Sequence, residues 1–95
     1  MRTRRQSRRR PGLPAGVRDA VHARSGGQCE AKSRVPTLVC RGRLQHHHIL
    51  RRAQGGADTV ENLLHVCGGH HGLIHDQPEM SYRLGLLARR SAVAS

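Results

Sequence analysis

Apolar and polar positions alternate with two different periods along this chain, and the changes of period predict its elements. In "AGVRDAVHARSGG", from Ala15, the residues Val17, Ala20, Val21 and Arg24 recur at three- and four-residue spacing, which predicts a short amphipathic helix stopped by Gly26 and Gly27. Cys29 to Cys40 encloses an irregular loop containing Pro36. Arg43 to Leu50 reads as a strand, "RRAQGGADTVEN" as a glycine-containing loop and Leu63 to Val66 as a returning strand, together a hairpin. After Cys67, "GGHHGLIHD" supports two helical turns before Pro78, with Leu73 and Ile74 inward. Leu84, Leu86 and Leu87 predict one more packed segment, after which "SAVAS" should fray, and no internal repeat is visible.

The expected class is a small α+β fold, yet its apolar content is thin. Leu, Ile and Val account for 19 of 95 residues and Phe is absent, near the limit below which charged chains stay unfolded. One domain over residues 15–88 is what this length can sustain. Residues 1–14 read as a disordered Arg-rich arm and 89–95 as a frayed tail. The segment Cys29 to His75 holds all three cysteines and seven of the eight histidines, so a metal ion is the expected staple.

Seventeen basic against six acidic side chains give a formal charge of +11, which points to a polyanionic partner, nucleic acid before an anionic membrane. No stretch approaches the roughly 20 apolar residues of a spanning helix, and no secretory signal opens the chain. The expected setting is therefore cytoplasmic, without a membrane partner. Three cysteines cannot all pair in disulfides, and their nearness to histidine favours coordination. The arm has two open readings, a solubilising tail or an additional phosphate contact.

Two constellations carry candidate chemistry. Cys29, Cys40, Cys67 and His70 follow C-x10-C and then C-x2-H spacing, a feasible tetrahedral set for a structural zinc ion. Either His65 or His71 could stand in for His70 as fourth ligand. The second constellation is His71 and His75, four residues apart on the expected helix and so able to grip one ion from one face. In "LQHHHILRR", a third imidazole lies upstream on the expected hairpin, where it could complete a three-nitrogen site with open positions for water or a phosphate oxygen. The triplet is internal and flanked by Leu44 and Ile49, unlike a terminal affinity tag.

The stretch "QHHHILRRAQGGADTVENLLHVCGGHHGLIH", Gln45 to His75, resembles the ββα-metal (His-Me finger) core of the HNH endonucleases. The likeness lies in an ordered series: paired His before an apolar residue, a GG loop, "ENL", a Cys knuckle and a closing His-x3-His. "GGQCE" and Cys40 extend it to the zinc-stapled subgroup common in phages and bacteria. It implies His48 as general base, His47, His71 and His75 as ligands of the catalytic ion, and Asn62 as the residue that pins the loop and orients His48. His46 has no assigned role. Strict strand alternation aims His46 and His48 together and His47 away, so using His47 and His48 side by side implies a broken pleat at the strand end. The family knuckle usually reads C-x2-C, with the upstream pair two residues apart rather than ten.

The implied function is metal-dependent hydrolysis of DNA phosphodiester bonds leaving a 5′ phosphate. A neutral imidazole with an ordinary pKa near 6.5 suits a base at cellular pH, and Arg43, Arg51 and Arg52 stand where they could touch phosphates. Three imidazoles suit zinc, nickel, cobalt or manganese, while magnesium prefers oxygen ligands. The expected partner is double-stranded DNA, with a phage packaging or other DNA-processing protein as a candidate second partner. A monomer would nick, whereas a homodimer or a partner nuclease would cut both strands. For a phage-encoded chain the compartment is the host cytoplasm. The contrasting expectation is a noncatalytic zinc-stabilised module that only binds nucleic acid.

Overall fold

In the computed structural model, which describes residues 12–90, the sequence forms helix α1 (Ala15–Ser25), strands β1 (Leu44–His48) and β2 (Leu63–Cys67), and helices α2 (Gly68–Asp76) and α3 (Pro78–Arg83). The two strands pair antiparallel in register from Leu44↔Cys67 to His48↔Leu63. This is a small α+β unit, in the expected order of strand, loop, strand and helix. Most of the Arg-rich arm and the "SAVAS" tail lie outside the described residues. Among the described residues, no helix is long and apolar enough to cross a membrane.

The expected strand from Arg43 to Leu50 is shorter than the pattern suggested. Arg43 stands before β1, and after His48 the Ile49 and Leu50 amides bond to Asn62 instead of continuing a ladder. The chain then passes through two single helical turns, Arg52–Gln54 and Val60–Asn62, before β2. Gly56 makes this connection tight, because a Cβ there would meet the Leu50 carbonyl oxygen at 1.7 Å. Only glycine fits that approach.

Helix α1 ends as expected at Gly26, which adopts φ 64° and donates its N–H to the His22 carbonyl. Its apolar stripe is weaker than the spacing implied: Val21 is buried, while Ala20 is exposed. Arg24 compensates by reaching over the sheet, donating to the carbonyls of Val60 at 2.8 Å and Leu63 at 2.6 Å. The same guanidinium clamps Glu30, whose carboxylate also accepts the His65 N–H. Polar anchoring thus replaces apolar packing along this helix.

The core is formed by Ala31, Val35, Val66, Ile74, Leu86 and Leu87 together with Cys29 and Cys67. Two thiols thus take places in a core of few aliphatic side chains. After α3 the chain turns back, and the Ala88 N–H bonds to the Ile49 carbonyl. That return brings Leu86 against β1 and closes one side of the histidine site.

Candidate metal centres

The first centre is built where β2 runs into α2. Cys67 is the N-cap of α2, and its sulfur accepts the His70 N–H. The same turn points the His70 ring at the sulfurs, its Nδ1 lying 3.1 Å from Cys67 Sγ and 3.6 Å from Cys40 Sγ. Its other nitrogen, Nε2, donates to the Val35 carbonyl at 3.0 Å. This places a proton on Nε2 and leaves Nδ1 as the nitrogen that could be a ligand. Cys29 Sγ accepts the Cys67 N–H.

One donor atom from each of Cys29, Cys40, Cys67 and His70 falls within 4.8 Å of the others. Tetrahedral zinc with bonds of about 2.3 Å to sulfur and about 2.0–2.1 Å to nitrogen has an S···N edge of about 3.6 Å, which the Cys40–His70 distance matches. Burial alone would push the Cys67 thiol up, but the His70 amide and ring outweigh it and bring the thiol below its ordinary value. Desolvation and the adjacent Cys67 and Cys29 sulfurs hold the Cys40 thiol high. Crowded thiols of this kind suit a dication, which favours their thiolate forms together. The four residues could hold a zinc ion, with His70 as the fourth ligand. The two alternatives are engaged elsewhere: His65 bonds to Ser25 and stacks on His46, and His71 belongs to the second cluster.

The second cluster contains His47, His71 and His75, again with one donor nitrogen each inside 4.8 Å. The i, i+4 spacing on α2 brings His71 Nε2 and His75 Nε2 to 3.3 Å. The N···N edge of a tetrahedral site with about 2.0–2.1 Å bonds is about 3.3–3.4 Å, so the pair has the separation of two ligands. His47 is buried and donates Nε2–H to the Leu86 carbonyl at 2.7 Å, leaving Nδ1 as its acceptor. His71 likewise donates Nδ1–H to the Gln45 side-chain oxygen. Burial drives the His47 pKa down to about 4, beyond what the Leu86 carbonyl restores, and burial followed by His75 lowers that of His71. Both rings are therefore neutral donors at pH 7.

A cavity of about 300 Å³ opens on these imidazoles and is lined by His46, His47, His48, Arg51, Arg52, His71 and His75. His47 and His48 reach it together without the expected break in the pleat, since the ladder stays in register through His48↔Leu63. His48 is the last strand residue, and a cavity wrapped around a strand end can meet side chains from both faces. His48 Nε2 lies 2.7 Å from Asp58 Oδ1. Asn62 accepts from the Leu50 N–H and donates to the carbonyls of Leu50 and Ala57.

The three expected arginines separate. Arg51 lines the cavity with a buried Nε that has no hydrogen-bond partner among the described residues, Arg52 lines it while paired with Asp58, and Arg43 is exposed beside the strand start. Sequence reasoning missed Gln45, Asp58 and the Leu86 carbonyl. Gln45 was accessible in principle, since it shares a strand face with His47 at i, i+2. A backbone carbonyl 39 positions from His47 leaves no such signal. Comparison with protein-family models, with curated proteins and with solved structures gives no match for this chain.

Proposed function

We propose that this protein is a metal-dependent HNH endonuclease that hydrolyses DNA phosphodiester bonds. The observation that carries the reading is the convergence of three imidazoles, His47, His71 and His75, on a cavity that also admits His48 and Arg51. His47, His71 and His75 are the residues that would hold a divalent ion. When bound, such an ion supplies positive charge against the extra negative charge of the phosphoryl transition state.

The chain's own groups supply the rest. His48 acts as general base and takes the proton of the attacking water. Arg51, whose side chain lines the cavity, binds a phosphate oxygen through its guanidinium. Asn62 holds the strand end against the following loop, which keeps His48 in place. The basic surface attracts the polyanion without requiring a sequence preference, and binding should weaken steeply with salt. A monomer with one such cavity nicks one strand.

The test is conversion of supercoiled plasmid to the nicked form by protein stripped of its second-cluster ion and supplied with magnesium, manganese, nickel or zinc. Wild type should nick with at least one of them, and His48→Ala should lose about 10²–10⁴-fold in rate while still binding DNA. DNA binding with no cutting by wild type under every ion would overturn the enzyme and leave the zinc-stabilised binding module.

A further inference from the structure

Asp58 is one of only six acidic side chains in a strongly basic chain, and nothing above gives it a task. Its carboxylate lies between two cavity residues. Oδ1 is 2.7 Å from His48 Nε2 and accepts Arg52 Nε at 3.0 Å, while Oδ2 accepts Arg52 Nη2 at 3.1 Å. The side chains are partly shielded, 17% exposed for His48 and 31% for Asp58, so these bonds face less competition from water than open surface contacts do. A two-pronged guanidinium holds the carboxylate in a plane as well as at a distance.

The backbone on either side is tied so that this meeting is built in. Gly56 lets the loop press onto the Leu50 carbonyl and donates its N–H to the Arg51 carbonyl. Asn62 then joins Leu50, two residues after His48, to Ala57, immediately before Asp58. One carboxamide thereby sets the spacing between the segment carrying His48 and the segment carrying Asp58.

We propose that Asp58, clamped by Arg52, is a positioning residue for His48: it accepts the ring's Nε2–H and so keeps the proton of that nitrogen in place and leaves Nδ1 as the nitrogen for proton transfer. The catalytic consequence rests on the nuclease reading, but the tautomer does not. An imidazole can remove a proton from water only through an unprotonated nitrogen, and an untethered ring divides its population between two tautomers and several orientations. Fixing one of them keeps the same nitrogen available at every turnover. Arg52 accordingly acts through Asp58, with its Nε and Nη2 edge engaged there, and Arg51 is the phosphate contact of the pair.

Two measurements on full-length, zinc-loaded protein test this. Long-range ¹H–¹⁵N correlation spectra should show His48 as the Nε2–H tautomer in wild type and as a mixture in Asp58→Ala. Asp58→Asn, whose side-chain oxygen can still accept the bond, should recover most of the wild-type pattern. In plasmid nicking, Asp58→Ala should lower kcat about tenfold or more, by less than His48→Ala does, and leave KM for DNA within about twofold. Zinc content and the thermal transition confirm that each variant is folded. An unchanged His48 tautomer in folded Asp58→Ala overturns the positioning role, and a shifted tautomer with unchanged kcat overturns its part in catalysis. Failure of wild type to cut with any ion defeats the nuclease reading instead, and the spectra still decide whether Asp58 sets the ring.

Discussion

Asn62 holds Leu50 at both ends of its backbone, accepting the Leu50 N–H at 2.8 Å and donating to the Leu50 carbonyl at 3.0 Å. Neither bond can be replaced by strand pairing, since β1 has already ended. Asn62→Ala should therefore cost about 1–3 kcal/mol in chemical denaturation. Asn62→Asp should be worse than its small change in shape suggests, because a carboxylate cannot donate to the Leu50 and Ala57 carbonyls and repels them. Equal midpoints for the Asp variant and wild type would contradict this account.

The connection between the strands offers a steric counterpart. At Gly56 an added Cβ would overlap the Leu50 carbonyl, whereas at Gly55 it meets nothing within 4 Å and the difficulty is only the φ of 92°. Gly55→Ala should cost about 1–2 kcal/mol. Gly56→Ala should cost more, about 2–4 kcal/mol, and should also disturb the His48 resonances, because backbone must move.

Zinc removal should be far more damaging than any single core substitution. A Cys3His site of this type contributes on the order of 10 kcal/mol, against a core with two of its own members among the ligands. Treatment with a strong chelator, or Cys67→Ala, should abolish the cooperative thermal transition. Metal analysis of the purified protein should give one tightly held zinc that survives loss of the second-cluster ion.

The fourth ligand has a spectroscopic signature. With cobalt in place of zinc, wild type should show the charge-transfer intensity of three thiolates, and His70→Cys that of four. The Cys variant should keep one metal per chain but melt at lower temperature, because the His70–Val35 hydrogen bond is gone. Equal thiolate intensity in the two proteins would remove His70 from the site.

Acid should weaken the fold through Glu30. Burial raises its pKa, but Arg24 and the His65 N–H more than offset this, so the folded value lies below the unfolded one of about 4.3. The folded state then binds fewer protons than the unfolded state in that interval. The Glu30 contribution is complete above the unfolded pKa and is lost as pH falls through the lower folded value. Denaturation midpoints of Glu30→Gln should depend less on pH than those of wild type over this range, with both compared under excess zinc.

Local pattern in this chain carried as far as local physics reaches. The 3.6 and 2.0 periods indicated the helix from Ala15, both strands and the helix after Cys67, because each element must turn an apolar side toward a core. The His71–His75 spacing and the Cys67–His70 turn were likewise legible, since helical geometry relates residues three and four apart. Choosing His70 over His65 and His71 required three dimensions. So did the Arg24 anchors, the end of β1 at His48, and the meeting of His48 with Asp58, because these depend on a chain return and on loop hydrogen bonds between residues with no fixed periodic relation. Which nitrogen of each imidazole is free was decided by partners such as the Leu86 carbonyl and the Val35 carbonyl. Sequence specifies which donors exist, and only packing decides which of them remain uncommitted.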